Sequence, residues 1–421
     1  MTPHHPLRHR IRGHGYFKRL GPGLVTGAAD DDPSGIGTYS QVGAAFGFRF
    51  VWTTLIALPF AVAVQEATAR LGLFTSKGLA ALIKENFPRW VLYVALALVV
   101  GANTFNIGAD LGSMAAATNL LVPVPELVLL VGFTLVMAAL EVFIPYHRYA
   151  KVLKWLCLSL VSYVIVLFVV NVAWADVAAN LFVPRIGFER EQLAALIAIF
   201  GTTISPYLFF WQTSEEVEEM NETESPTQAN AVAHLSAMRG DVVAGMSSGV
   251  LVMFAIMVTS ATTLGANGIT SIGTAEEAAQ ALRPLAGRFA ELLFTLGIVG
   301  TGLLAVPVLA GSTSYALAET FGWREGLSLK MTQARGFYLV IIGSMIAGFC
   351  MNIVGLDSVK ALYWSAILNG VAAPPLILMI FILARRPQVL GEHASGKLSQ
   401  TMVAGAAIAS ATLPVLYLFA R

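Results

Sequence analysis

The chain contains little charge and almost no cysteine. Asp, Glu, Lys and Arg make up 12% of its 421 residues, whereas a soluble globular domain carries about 25%. The two cysteines, Cys157 and Cys350, lie in different apolar stretches, so the sequence indicates neither a disulfide framework nor a thiolate metal cluster. The formal net charge of +1 comes without a basic patch interleaved with aromatic residues, and nothing in the sequence indicates nucleic-acid binding.

Sequence motifs of enzymes are also missing. There is no H-E-x-x-H motif and no serine/lysine or cysteine/histidine arrangement, and no lysine lies in the middle of an apolar stretch. An intramembrane enzyme is therefore not expected. The sequence likewise indicates no cofactor and no obligate protein partner.

The sequence is rich in long apolar stretches. Hydrophobic residues make up 56% of the chain, and runs of roughly 20 apolar residues, each long enough to span a bilayer as a helix, recur throughout. The sequence predicts an all-α integral membrane protein with a basic tail at 1–21 and a single transmembrane domain at 22–421. Its eleven predicted spans are 22–46, 50–71, 90–117, 126–144, 152–174, 192–214, 241–264, 288–318, 334–355, 359–384 and 400–420.

The distribution of lysine and arginine predicts the orientation. With the N-terminus in the cytoplasm, the exterior segments hold seven of the 26 Lys and Arg residues and the cytoplasmic segments hold the remaining 19. Positive residues accumulate on the cytoplasmic side of membrane proteins. We therefore expect a multi-pass protein of the plasma (inner) membrane, surrounded by lipid, with a cytoplasmic N-terminus and an external C-terminus.

The first span carries an unusual acidic segment, Asp30-Asp31-Asp32-Pro33-Ser34-Gly35. Each charged residue near the bilayer centre costs about 2.5–3.5 kcal/mol, and the proline lacks the backbone donor that a continuous helix needs. The span should therefore break into two half-helices here. Acidic residues at a broken helix in mid-membrane are typical of the cation sites of transporters, so this segment indicates ion transport.

A second interrupted segment lies at a corresponding place in the sixth span. The residues 201–207 put hydroxyls and a proline in mid-helix. Because the two breaks each open a group of five spans, we predict an inverted repeat, with repeat one at about 22–174, repeat two at about 192–384 and an extra span at 400–420. Paired breaks in two halves indicate a transporter binding site. The alternative for each break alone is a proline kink.

Several segments carry motifs of a known family. They are Gly21-Pro22-Gly23, Asp32-Pro33, Gly43-Ala44-Ala45-Phe46-Gly47-Phe48 and Trp52 in and after the first span; Gln65, Ala69-Arg70-Leu71-Gly72, Thr75, Lys77 and Leu79-Ala80 in and after the second; Asp110-Leu111 in the third; and Gly201-Thr202-Thr203 with Pro206 in the sixth. Over spans one to ten the chain resembles the Nramp family of divalent-metal transporters. The resemblance implies a LeuT-type inverted repeat and alternating access.

The chain also departs from the family pattern, although it keeps the first-span aspartate as Asp32. The departures are Ser34 and Gly35 in the D-P-G-N motif; Ser205, Tyr207 and Leu208 in place of the methionine, histidine and asparagine of M-P-H-N; and Ser113 in place of an acidic residue of the third span. Some Nramp-related proteins transport magnesium. The resemblance therefore favours a divergent, Nramp-related prokaryotic branch of this kind.

Oxygen donors dominate the metal site that we predict. Asp32 and Asp31, the Ser205 hydroxyl and backbone carbonyls at both breaks offer hard oxygen ligands, and Asn369 in the tenth span adds an amide oxygen. Such ligands suit magnesium, calcium and manganese, whereas a thioether favours softer metals. The alternative for Asp32 is an N-cap of the helix that begins at Pro33. This role is compatible with ligation, because a carboxylate has two oxygens.

Five further polar residues are assigned to the transport pathway: Asp30, Glu66, Asp110, Thr203 and Tyr207. Glu66 has the alternative of an ion pair with Arg70, one helical turn away, and Tyr207 that of packing with its hydroxyl bonded. Asp110 needs a polar partner or water inside the membrane, which favours a functional role.

The expected function is secondary transport of a hard divalent cation, Mg²⁺ or Mn²⁺, by alternating access. Proton coupling is disfavoured because Tyr207 and Ser113 replace titratable residues of the family, although Asp110 and the additional aspartates remain able to carry protons. The alternative is a sodium- or proton-coupled carrier of a small organic solute, because the same fold serves such carriers.

Overall fold

The computed structural model describes residues 22–144, 156–222, 231–355 and 357–420. Within these ranges the regular secondary structure is helical and no strand occurs. The predicted basic tail at 1–21 lies outside them, and so does the beginning of the fifth predicted span.

The described residues of the first half of the chain form eight α-helices. The first two are separated by only Asp31 and Asp32, which is the break expected from the acidic segment. The helices are α1 (Pro22–Asp30), α2 (Pro33–Phe46), α3 (Thr53–Thr75), α4 (Leu79–Asn86), α5 (Arg89–Asn119), α6 (Glu126–Phe143), α7 (Val161–Val169) and α8 (Trp174–Phe182).

The described residues of the second half form ten more. Ile204 and Ser205 separate the first two of these, which is the second expected break. The helices are α9 (Arg190–Thr203), α10 (Pro206–Glu222), α11 (Ala231–Thr263), α12 (Ala275–Ala279), α13 (Arg283–Ala286), α14 (Ala290–Phe321), α15 (Arg335–Ile353), α16 (Ser358–Ala384), α17 (Pro387–Leu390) and α18 (Lys397–Phe419).

Nine helical segments of the described chain are long and apolar enough to cross a membrane. A tenth is the bent pair Leu158–Val169 and Trp174–Phe182, whose parts meet at 117°. In the predicted fifth span, 152–174, the helix ends at Val169, and Trp174 begins the second part of the bent pair. These segments confirm the all-α membrane architecture, and the α1–α2 pair lies where the first span is predicted.

Exposure distinguishes the helices that face lipid from those at the centre. On α6 and α18, large apolar side chains such as Leu135 and Leu418 are exposed, as expected where the surroundings are hydrocarbon. The broken span formed by α9 and α10 is almost entirely buried. It is therefore enclosed by the other helices, where polar groups are shielded from lipid.

Close helix packing surrounds the two breaks. Helices α1 and α2 pack along α11, whereas α9 packs along α16. A Cβ at Gly201 of α9 would collide with the backbone of Ala366 and Gly370 on α16, so glycine permits this approach. Asn369 directly precedes Gly370, and the packing thus brings that part of α16 to the second broken span.

Candidate functional site

The break in the first span is organised by Asp32. Its backbone is extended (φ −68°, ψ 170°), and it is the N-cap of α2, with Pro33 at the first helical position. An N-cap carboxylate accepts a hydrogen bond from a backbone amide that the first helical turn leaves unpaired. Proline at the first helical position loses no hydrogen bond, because the amide at that position has no partner within the helix. The local sequence therefore determines where the second half-helix starts.

Three hydrogen bonds hold the Asp32 carboxylate, and the residue is only 1% exposed. Its Oδ1 accepts from the Ser34 hydroxyl at 2.6 Å and from the Gly35 amide at 2.7 Å. Its Oδ2 accepts from Asn106 Nδ2 on α5 at 2.9 Å. A carboxylate has about four acceptor positions, so one remains for a cation. Capping and ligation are compatible in this geometry.

At the break in the sixth span, the Ser205 side chain forms hydrogen bonds with the helix that precedes it. Its hydroxyl lies 3.0 Å from the Gly201 carbonyl and 2.9 Å from the Thr202 carbonyl, to which it donates. These carbonyls belong to the last turn of α9, where no following helical amide is available to donate a hydrogen bond to them. The Ser205 oxygen retains its acceptor lone pairs, so it remains available to a cation.

Side chains at the second break also contact the first broken span. The Tyr207 hydroxyl donates to the Ala29 carbonyl at 2.8 Å, in the last turn of α1. Thr203 Oγ1 lies 2.8 Å from the hydroxyl of Tyr39 on α2. The two breaks are thus neighbours, as expected for a site shared by two inverted halves.

Asp110 on α5 and Asn369 on α16 are fully buried, and none of their polar side-chain atoms has a hydrogen-bond partner among the described residues. Asp110 is an electrostatic neighbour of Asp32. It also lies one helical turn from Asn106, on the same face of α5. Because buried polar groups are normally bonded, these atoms have unused capacity for a cation or for water.

The other two aspartates of the acidic segment face a different helix. Carboxylate oxygens of Asp30 and Asp31 lie around Gly249 of α11, and neither residue contributes to the hydrogen bonds of Asp32. Among the described residues, no three His, Cys, Asp or Glu side chains are arranged to hold one metal ion. Asp31, which was predicted as a metal ligand, shares none of the hydrogen bonds that hold the Asp32 carboxylate.

Glu66 lies in a group of ion pairs and hydrogen bonds that connects three helices. Its carboxylate forms ion pairs with Arg70 on the same helix and with Arg239 Nε of α11, the latter at 2.8 Å. A further contact of 3.5 Å comes from the Ser399 hydroxyl of α18. The arrangement favours the structural alternative for Glu66, in which it joins α3, α11 and α18.

The aspartates near the breaks form no ion pair with any residue that the structure describes. In the part of the chain that the structure describes, no Lys, Arg or His side chain pairs with Asp30, Asp31, Asp32 or Asp110. An unpaired carboxylate is costly inside a protein, and more so inside a membrane. The site therefore has negative charge available for a cation.

A small cavity lies beside the first two turns of α2. Its polar lining residues are Ser40 and Ser113, and the Ser113 hydroxyl also donates to the Asp110 carbonyl at 2.8 Å. The cavity wall includes Ile36, one turn beyond Asp32. The complete lining is Ile36, Gly37, Ser40, Ser113, Ile272, Ala275, Ala278, Phe294, Ile298, Val359 and Leu362.

Asn106 is a site residue whose role was not predicted. From the sequence alone, Asn103 and Asn106, on the third span near Asp110, are expected to form hydrogen bonds across helices. The partner of Asn106 is the Asp32 carboxylate, and its own Oδ1 is buried without a partner. The available signal was its spacing of four residues from Asp110, which puts both side chains on one helical face.

Three comparisons with known proteins agree with this architecture. The family model described as "Natural resistance-associated macrophage protein-like" (Nramp) matches residues 23–420. The chain belongs to the Nramp family. It is 25% identical over 422 residues to the divalent metal cation transporter MntH of Yersinia pestis, covering 95% of this chain and 93% of the relative. The resemblance drawn from the sequence motifs is thereby confirmed.

Solved structures share the fold. A manganese transporter of Eremococcus coleocola superposes with a TM-score of 0.77 at 18% identity, covering 97% of this chain and 88% of that one. Mhp1, a nucleobase-cation-symport-1 family transporter, superposes with a TM-score of 0.61 at 14% identity, covering 95% and 91%. The fold is the predicted LeuT type. Members of the Nramp family are membrane transporters and not enzymes.

Proposed function

We propose that this Nramp chain carries a hard divalent cation, Mg²⁺ or Mn²⁺, across the membrane by alternating access. The observation that carries the proposal is the Asp32 carboxylate, which lies buried at a helix break and pairs with no basic side chain of the described residues. We assign Asp32, Ser205 and Asn369 as cation ligands, and the two repeats as the parts that move around them. The names of the relatives, a divalent metal cation transporter and a manganese transporter, support this substrate class.

The preference for a hard cation follows from the donor atoms. Asp32 offers a carboxylate, Ser205 a hydroxyl and Asn369 an amide whose two polar atoms have no partner. Oxygen donors of this kind suit Mg²⁺ and Mn²⁺. Because Mg²⁺ loses its water reluctantly and usually keeps several water ligands, a site with few protein ligands favours a partly hydrated ion.

We also propose that transport proceeds without stoichiometric proton movement. The hydroxyls of Tyr207 and Ser113 both donate to backbone carbonyls, and neither side chain titrates near neutral pH. Cation movement would then follow the metal gradient and the membrane potential. The predicted orientation, with a cytoplasmic N-terminus in the plasma membrane, belongs to the same proposal.

A flux assay on the purified protein in liposomes tests the substrate. The panel contains Mg²⁺, Mn²⁺, Ca²⁺ and Na⁺, together with amino acids and organic acids. We expect saturable Mg²⁺ or Mn²⁺ uptake without uptake of any organic solute. Uptake of an organic solute that depends on Na⁺ or a proton gradient, without divalent-cation flux, would instead establish the carrier alternative.

A further inference from the structure

Three oxygen atoms converge on the face of Gly249, on α11. A Cβ built at this glycine would lie 3.6 Å from Asp30 Oδ2, 3.7 Å from Asp31 Oδ1 and 3.6 Å from the Gly27 carbonyl oxygen. These are ordinary contact distances, so a methyl group would fill the space between the three oxygens without a clash. The absent side chain of Gly249 thus leaves a small space bordered by two carboxylates and one carbonyl.

The surroundings of this space favour a positive charge. Asp30 is 3% exposed and Asp31 6% exposed, and the Oδ1 atom of Asp30 is buried without a hydrogen-bond partner. The Gly27 carbonyl lies in the last turn of α1, where carbonyls lack intrahelical partners and the helix dipole is negative. Asp30 and Asp31 form no ion pair with the described residues, and two neighbouring buried carboxylates repel each other unless a cation lies between them.

We propose a second cation site at this point, formed by Asp30, Asp31 and the Gly27 carbonyl in front of Gly249. Its ligands differ from the groups around Asp32, whose hydrogen bonds lead to Ser34, Gly35 and α5. The inference rests on the proposed function for its choice of ion, a hard divalent cation. Two carboxylates and a backbone carbonyl are the kind of oxygen ligands that hard divalent cations prefer.

The location suggests what the second site does. Helix α1 precedes the break, and the orientation predicted from the charge distribution places it between Asp32 and the cytoplasm. An ion at Gly249 therefore occupies a position between the central site and the inner exit. Two sites in series, each of moderate strength, allow an ion to leave the central position more easily than a single deep site.

The test counts bound Mn²⁺ on the purified full-length protein in detergent, by equilibrium dialysis with metal analysis. We expect two saturable ions per chain in the wild type. The double variant Asp30→Asn/Asp31→Asn should bind one. Gly249→Ala should also bind one, although it retains every carboxylate, because the methyl group fills the space. Gly132→Ala is the matched control, since a Cβ there meets nothing within 4 Å, and it should bind two.

Thermal unfolding of each variant establishes that it is folded, and Gly249→Ala keeps the test valid if the double aspartate variant does not fold. Two ions in both Gly249→Ala and the double variant would overturn the second site. One ion in the wild type that is lost in Asp32→Asn would also overturn it while leaving the proposed function intact. Conversely, if Asp32→Asn keeps two ions and the double variant keeps one, the proposed role of Asp32 fails and the second site stands.

Discussion

Replacement of Asn106 by alanine should weaken cation binding without abolishing the fold. Asn106 supplies the only one of the three hydrogen bonds to Asp32 that comes from another helix, at 2.9 Å. The other two come from Ser34 and Gly35, in the first turn of α2. Loss of the Asn106 bond frees the Asp32 carboxylate to rotate and removes a buried amide oxygen from the site.

The size of the effect follows from the kind of bond that is lost. A hydrogen bond to a charged group contributes about 1.5–3 kcal/mol, which corresponds to a factor of roughly 10 to 100 in affinity. Changes to groups that orient a metal ligand typically cost about 10- to 100-fold in metal affinity. Since both routes give the same range, we expect the KM for Mn²⁺ uptake of Asn106→Ala to rise by about 10- to 100-fold.

The assay is Mn²⁺ uptake into proteoliposomes over a range of concentrations, with thermal unfolding measured in parallel. Asn103→Ala is the matched control, because Asn103 lies on the same helix but donates to Ser312, Thr313 and the Leu309 carbonyl of α14. It should lower the Tm and leave the KM unchanged. An unchanged KM in folded Asn106→Ala would refute the view that α5 positions the Asp32 carboxylate.

Three further outcomes are expected. Ser205→Met should raise the ratio of Cd²⁺ to Mg²⁺ uptake, because a thioether favours softer metals; an unchanged ratio in competition assays would show that Ser205 does not face the ion. A lumenal pH dye should record no metal-dependent acidification during Mn²⁺ uptake, since Tyr207 and Ser113 donate to backbone carbonyls; acidification that disappears in Asp110→Asn would contradict this. Glu66→Gln should lower the Tm and leave the KM near the wild-type value, because Glu66 pairs with Arg239; a raised KM at an unchanged Tm would place Glu66 in the pathway.

The positions of the helix breaks were predictable because their causes are local. Asp32 followed by Pro33 is an N-cap and a first helical residue in any environment. The pair Ser205 and Pro206 ends one helix and begins another for similar reasons. Span lengths were predictable too, since bilayer thickness sets the number of apolar residues.

Tertiary partners were not predictable from local pattern. Asp30 and Asp31 are adjacent to Asp32 in sequence, yet they face α11, because the chain turns at the break. Glu66 offered an ion pair with Arg70 at i+4, but its second partner, Arg239, is 173 residues away and becomes a neighbour only through packing. For Asn106, a bond across helices was foreseen, whereas its acceptor depends on how α5 packs against α2.

The most direct test of the central claim is Mn²⁺ and Mg²⁺ uptake by Asp32→Asn in proteoliposomes. Asparagine keeps the volume and the capping ability of the residue and removes its charge. Asp357→Asn is the matched control: Asp357 is also an N-cap, accepting the amides of Val359 and Lys360 at the start of α16. We predict background uptake for Asp32→Asn and wild-type uptake for Asp357→Asn, with both variants eluting as folded protein. Wild-type uptake by Asp32→Asn would contradict the proposed cation site.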